Sequence, residues 1–134
     1  MKLSQLSAAI LISATASSAM AAPPALYTAD QAKAGAQVYD TNCAMCHGAD
    51  LNGGAGPALA GQSFASAGAQ KTVGAVFSQT TSMMPATQPG SLTHEQYEDV
   101  MAYILQQNGY PAGPTKLSYA ATLGSSVPLV AQNN

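Results

Sequence analysis

The chain has 134 residues, of which 47% are hydrophobic and only 7% are charged, against roughly 25% charged residues in an average globular domain. This length predicts one folded domain, and the four Lys and Arg side chains exclude a nucleic-acid binder, which needs many cations to neutralise phosphates. Much of the apolar content is alanine, so a domain of this size would gain from a staple or a cofactor that completes its core.

Residues 1–21 are typical of a secretory signal peptide. Lys2 supplies the positive start, an apolar run covers residues 6–12, and the small residues Ala19 and Ala21 fit the A-x-A cleavage rule. The alternative is a retained membrane anchor, but the apolar run is far shorter than the ~20 residues that span a bilayer. We therefore expect cleavage before Ala22, export to the periplasm, and no membrane span in the mature chain.

The first predicted helix follows a capping box, with Thr28 as the N-cap and Gln31 three residues later. It is expected to end near Asn42. The motif Cys43-Ala44-Met45-Cys46-His47 comes next.

This motif has the C-x-x-C-H spacing of c-type haem attachment. The two thiols bond to the two vinyl groups of one haem, and the adjacent imidazole binds the iron from one face. A redox disulfide would leave the role of His47 unexplained, and a zinc site would lack a second pair of ligands. A redox disulfide and a zinc site remain the alternatives to covalent haem c.

A glycine-rich loop is predicted over residues 48–63, with a short turn near residues 64–68. Residues 71–80 carry Val73, Val76 and Phe77 at helical spacing and predict a short helix. Residues 82–91 then form a loop with two methionines and two prolines.

A second iron ligand is expected from this methionine loop. Met84 is favoured because Pro85 lacks an N–H and pushes its predecessor into extended backbone, which suits a loop that covers a haem face. Met83 is the alternative, and otherwise it is expected to pack against the haem or the core. His94 is a rival ligand, although its place at the start of a helix predicts a solvent-facing side chain.

The last predicted helix has a capping box formed by Thr93 and Gln96 and stops at Gly109. Its apolar residues follow a helical pattern that includes Met101 as a core residue. No stretch shows the alternation of a β-strand, so the mature chain is predicted to be mostly α-helical with long loops.

Together these motifs resemble class I cytochromes c, a family of small monohaem electron-transfer proteins. The resemblance rests on Cys43, Cys46 and His47, on the Met84-Pro85 loop, and covers about residues 28–109. It implies an all-α class I cytochrome c fold, with short helices and long loops around one covalent haem c. It also implies that His47 and Met84 are the two metal ligands.

The resemblance implies two packing details as well. In the family, the N- and C-terminal helices cross at a glycine beside aromatic side chains, and Gly35 and Tyr103 match these positions. A Gly-Pro pair after the haem motif places a carbonyl against the proximal histidine in the family. Gly56-Pro57 matches this pair, so the Pro57 carbonyl is expected to bind the second ring nitrogen of His47.

A narrower likeness is to cytochrome c domains associated with periplasmic quinoprotein alcohol dehydrogenases. It rests on residues 84–92, on Tyr97, on residues 102–105 and on the run Asn108-Gly109-Tyr110-Pro111-Ala112-Gly113. This likeness implies a redox carrier, not an enzyme, that accepts electrons from a donor dehydrogenase and passes them toward a terminal oxidase or another cytochrome. The alternatives are a small haem subunit of a dehydrogenase complex and a haem protein that binds a gas or a peroxide.

The predicted organisation is a signal peptide (1–21), an N-terminal extension (22–27), a cytochrome c domain (28–110) and a C-terminal tail (111–134). The tail carries almost no charge but has several apolar residues. It is either a disordered end or a segment that packs back on the domain or docks to a partner.

Overall fold

The computed structural model describes residues 21–133, so the predicted signal peptide lies almost wholly outside the described residues. This part of the chain is helical and contains no β-strand, which confirms the all-α prediction. No helix within it is long and apolar enough to cross a membrane. The α-helices are α1 (Ala29–Asn42), α2 (Ala44–His47), α3 (Gln62–Ala65), α4 (Val73–Met83), α5 (His94–Gln107) and α6 (Tyr119–Leu123).

Both predicted capping boxes are present and determine where the two long helices begin. In α1 the Thr28 hydroxyl accepts from the backbone N–H of Gln31, and the Gln31 side chain accepts from the backbone N–H of Thr28, each at 3.3 Å. In α5 the equivalent distances between Thr93 and Gln96 are 3.1 and 2.9 Å. Each box satisfies two backbone donors that the first turn of a helix would otherwise leave without partners.

Helices α1 and α5 pack against each other at the predicted glycine. A Cβ atom added at Gly35 would lie 1.8 Å from the carbonyl oxygen of Asp99 and 3.0 Å from the Cβ of Tyr103. The Tyr39 and Tyr103 rings lie beside this crossing, with their centroids 5.4 Å apart. The crossing therefore confirms the helix arrangement that the resemblance implied, because only glycine allows so close a backbone approach.

Helix α4 begins two residues later and ends three residues later than the predicted helix over residues 71–80. Its apolar pattern ends at Phe77, but hydroxyl side chains continue the last turns by bonding back to the helix, as Thr80 does to the Val76 carbonyl at 2.8 Å. The helix ends directly before Met84, which has the extended backbone (φ −119°, ψ 152°) that Pro85 favours. The methionine loop therefore begins at Met84, two residues later than predicted.

The tail packs back on the domain. Leu117, Leu129 and Ala131 are buried in the same core as the long helices. The Gln31 side chain forms two hydrogen bonds with the backbone of Leu117, at 2.9 Å to its carbonyl and 2.8 Å from its N–H. The Tyr110 hydroxyl donates to the Pro128 carbonyl at 2.8 Å. These contacts pack the tail residues against the core of the domain.

Asp99, a charged residue beside the helix crossing, is expected to make the stability of the fold depend on pH. Burial raises the pKa of Asp99 above its usual value, the neighbouring Glu95 adds to the rise, and Lys116 opposes it. Because the folded-state pKa is the higher one, the folded chain binds the proton more tightly, and stability falls as the pH rises through this pKa.

We therefore expect Asp99→Asn to raise the melting temperature slightly at neutral pH, and to raise it less near pH 4, where wild-type Asp99 is partly protonated. Thermal unfolding followed by circular dichroism at the two pH values measures this. Asp40→Asn on the exposed face of α1 is the matched control. A melting temperature that falls at neutral pH in Asp99→Asn would contradict the assignment.

Candidate haem-binding site

The attachment motif lies at the junction of α1 and α2. Cys43 ends α1 and starts α2, and its carbonyl accepts from the backbone N–H of His47 at 2.9 Å. Burial, with contributions from Cys43 and Tyr103, raises the pKa of Tyr39 to about 12. The Tyr39 hydroxyl therefore stays protonated and donates to the Gly48 carbonyl at 2.7 Å. This bond ties the end of the motif to α1.

Both cysteines are free thiols. Burial and the neighbouring Cys46 raise the pKa of the Cys43 thiol, before haem attachment, to about 11. Within residues 21–133 no group of three or more His, Cys, Asp or Glu side chains could hold a metal ion.

His47 is 7% exposed, and its Nδ1 lies 2.7 Å from the Pro57 carbonyl oxygen. A carbonyl oxygen only accepts, so Nδ1 carries the proton and Nε2 is left with a free lone pair, as an iron ligand requires. Gly56 is packed against the ring, since an added Cβ would lie 2.9 Å from Nδ1 and Cε1. The Pro57 carbonyl thus has the position that the resemblance implied.

Met84 is held by the last long helix. The Tyr97 side chain is 2% exposed, and its hydroxyl donates to the Met84 carbonyl at 2.6 Å. The neighbouring Met83 ends α4 and is 53% exposed, so the expectation that it packs against the haem or the core is wrong. His94 is exposed and stacks on the Tyr119 ring, with centroids 3.7 Å apart.

A cavity of about 690 Å³ brings the two predicted ligands together. The motif, the glycine loop, α4, the methionine loop and α5 all contribute to its wall. Met83 and His94 do not line it. Its walls include Cys43, Met45, Cys46, His47, Pro57, Leu59, Phe64, Lys71, Val76, Thr80, Met84, Pro85, Val100 and Ile104.

These residues fit a c-type haem. The two cysteine thiols, the His47 imidazole and the Met84 thioether line the same cavity, and these are the kinds of group that attach haem c and bind its iron from two faces. The cavity lies within the roughly 300–1,000 Å³ range of cofactor sites, and its aliphatic and aromatic walls suit a flat apolar ring. The ligand roles of His47 and Met84 remain predictions that the experiments below test.

Three residues of the site are not apparent from the sequence as site residues. Tyr97 has the pattern of a core residue in α5, and Lys71 that of a helix-flanking lysine. Asn108 is fully buried, and its amide bonds the Leu59 carbonyl at 2.9 Å and the Gly61 N–H at 3.1 Å, which fixes the end of the glycine loop. All three act across 7 to 49 residues of chain, so no local motif marks them.

We expect Tyr97→Phe to lower the free energy of unfolding by about 1–2 kcal/mol, because the Met84 carbonyl loses its shorter hydrogen bond and keeps only the one from the Gly90 N–H at 3.4 Å. Since that bond holds the methionine loop, the absorption band of the iron–methionine bond should disappear at a lower urea concentration than the helix signal. Tyr103→Phe is the control, because this hydroxyl has no hydrogen-bond partner among residues 21–133. If the iron–methionine band and the helix signal are lost at the same urea concentration in Tyr97→Phe, as in Tyr103→Phe, then Tyr97 does not hold the methionine loop.

Comparisons with known proteins agree with this geometry. The family model described as cytochrome c oxidase, cbb3-type, subunit III matches residues 30–104. Two sequences of the cbb3-type cytochrome c oxidase subunit CcoP from Rhodobacter capsulatus are 34% and 35% identical to the chain over 127 residues. Each alignment covers 85% of this chain but 41% of the relative, so the chain spans less than half the length of these relatives.

A solved structure shows the same fold. The crystal structure of the sulfane dehydrogenase SoxCD from Paracoccus pantotrophus matches with a TM-score of 0.55 and 23% sequence identity. The match covers 73% of this chain and 52% of that chain. At this identity the likeness concerns the fold alone.

Proposed function

Since this chain belongs to the cytochrome c family, as a class I monohaem member that binds covalent haem c, we propose that it is a one-electron carrier of the periplasm. The observation that carries the proposal is the single cavity that Cys43, Cys46, His47 and Met84 share. Haem iron supplies reversible one-electron chemistry when it is bound, and its axial ligands set the reduction potential.

The residues that we assign to the iron leave it no open position. His47 is oriented by the Pro57 carbonyl at 2.7 Å, which leaves the lone pair of the neutral ring on Nε2 and makes the imidazole a better donor. Met84 is oriented by Tyr97 through its carbonyl at 2.6 Å. With both side chains bound, oxygen, peroxide and carbon monoxide are excluded, and a ligand set that is the same in both oxidation states keeps reorganisation small.

The periplasmic location is supported by the signal-peptide pattern of residues 1–21 and by the haem attachment motif. We propose a quinoprotein dehydrogenase as the electron donor and a terminal oxidase or another cytochrome as the acceptor. The narrower sequence likeness supports the donor. Two relatives are named as oxidase subunits, and this supports a terminal oxidase as the electron acceptor.

The protein surface near the cysteines supports recognition by apolar contact. Met45 is 88% exposed and lines the cavity, so it lies at the cavity mouth. No carboxylate lines the cavity, and Lys71 is the one cationic side chain among its described lining residues. A docking face around this mouth therefore has few charges, and association should respond weakly to salt.

A second candidate is a permanent haem subunit of a larger dehydrogenase or oxidase complex. The observation in its favour is that two relatives are named as subunits of an oxidase. A gas- or peroxide-binding function has less support, because it requires that Met84 leave the iron.

The test is carbon monoxide binding together with electron exchange. The reduced purified protein should not bind carbon monoxide at neutral pH, and it should exchange electrons with a reduced quinoprotein dehydrogenase at rates that change less than about threefold between low and high salt. Rapid carbon monoxide binding would favour the gas-binding alternative. Co-purification with a dehydrogenase at fixed stoichiometry would favour the subunit.

A further inference from the structure

Lys71 is the one cationic side chain in the cavity wall, among the residues that the structure describes. The lysine is half-buried. Its ammonium donates to the Phe64 carbonyl at 2.5 Å and lies 4.4 Å from the centroid of the Phe64 ring. These two contacts hold the charge against the cavity wall and not in open solvent.

No carboxylate among residues 21–133 forms an ion pair with this charge. The ion pair found within residues 21–133 joins Lys116 to Glu95, on the exposed surface. An ammonium has three donor protons, and the Phe64 carbonyl takes one of them. A partly desolvated cation with free donors, on the wall of a cavity without carboxylates, favours a ligand that carries an anionic group.

The tail fixes the backbone on both sides of this lysine. The Leu129 N–H donates to the Lys71 carbonyl at 2.8 Å, and the Ala131 N–H donates to the Ala65 carbonyl at 2.7 Å. Val73, two residues after the lysine, donates its N–H to the Val127 carbonyl at 2.9 Å. Residues 127–131, which lie outside the region that the family model matches, therefore support the wall that carries Lys71.

We propose that Lys71 binds a propionate carboxylate of the haem, and that residues 127–131 hold Lys71 in place for this contact. The proposal rests on the proposed function, because it takes covalent haem c as the occupant of the cavity. Haem has two propionates at the edge away from its vinyl groups, so a cation here would anchor the edge that the cysteines do not hold.

Three other titratable side chains line the cavity, but none of them is available to bind a propionate. Cys43 and Cys46 lose their thiols on haem attachment, and His47 is assigned to the iron. The α4 and α5 residues that line the cavity are uncharged, and the tail residues 127–131 carry no charge. Lys71 is thus the group that sets the ionisation of a nearby propionate.

The test measures the midpoint potential of the holo-protein as a function of pH. The bend in the plot of midpoint potential against pH reports the pKa of the propionate. In Lys71→Gln the propionate loses its cation, so this pKa should rise by about one unit or more, which is a tenfold change in the acid dissociation constant. Lys71→Arg should restore the wild-type curve. Lys33→Gln, which removes an exposed lysine on α1, should leave it unchanged.

A second measurement on the wild-type holo-protein needs no variant. Carbon-13 NMR of the two propionate carboxyls should show one that titrates at least about one pH unit below the other. Two propionates that titrate together, or a Lys71→Gln curve that overlays the wild-type curve, would overturn the proposal.

Failure of this inference can be told apart from failure of the proposed function. If the reduced wild-type protein excludes carbon monoxide while Lys71→Gln leaves the potential–pH curve unchanged, the proposed electron-carrier function is supported and the proposed propionate contact is wrong. If the wild-type protein binds carbon monoxide rapidly, the proposed electron-carrier function is wrong.

Discussion

Replacing Met84 with alanine is expected to open the sixth position of the haem iron. The reduced variant should then bind carbon monoxide rapidly at neutral pH, as the wild-type protein should not. Loss of the thioether also removes the ligand that favours the reduced iron, so the reduction potential should fall by a substantial part of the roughly 0.8 V range that axial ligands command. Carbon monoxide difference spectra and a redox titration measure the two effects.

Met83→Ala is the matched control for this experiment. It removes the same side chain one residue earlier, at the exposed end of α4 and away from the cavity wall. Its carbon monoxide binding and potential should equal those of the wild-type protein. The ligand assignment is wrong if Met83→Ala opens the site and Met84→Ala does not.

Replacing Gly35 with alanine is expected to destabilise the fold strongly. In an open helix, glycine to alanine gains up to about 1 kcal/mol from helix propensity. At Gly35 the new Cβ would lie 1.8 Å from the Asp99 carbonyl oxygen, so α1 and α5 must move apart. We expect a net loss of about 3 kcal/mol, which lowers the melting temperature by roughly 10–20 °C.

Gly68→Ala separates this packing effect from a general effect of glycine replacement. A Cβ at Gly68 would meet nothing within 4 Å, so this variant should match or slightly exceed the wild-type stability. Thermal unfolding of the two variants gives the comparison. Similar melting temperatures for both would show that the helix crossing is looser than the backbone distance indicates.

The parts of the fold that depend on local sequence could be predicted from it. The capping boxes at Thr28 and Thr93 act within one helical turn, and their residue types determine where α1 and α5 begin. Pro85 restricts the residue before it, and Met84 has the extended backbone expected there. The cysteine and histidine spacing follows from the shape of the haem, so the motif indicates its cofactor without knowledge of the fold.

The rest depends on which distant segments meet in the folded chain. The apolar pattern of α4 stops at Phe77, although hydroxyl groups extend the helix to Met83, and this places Met83 outside the cavity. The contacts of Tyr97 with Met84 and of Leu129 with Lys71 join separate elements. Composition likewise left open whether the tail is ordered, because its apolar residues are buried only through contacts with residues far away in the sequence, such as Gln31 and Val73.

The most direct test of the assigned site is the near-red absorption of the oxidised protein during a redox titration. Coordination of ferric haem by a thioether gives a weak charge-transfer band in this region. We predict that the wild-type protein shows this band, that the band disappears in a single one-electron step on reduction, and that Met84→Ala lacks it while Met83→Ala keeps it. An oxidised wild-type protein without the band would contradict the assignment of His47 and Met84 as the two ligands of one electron-carrying haem.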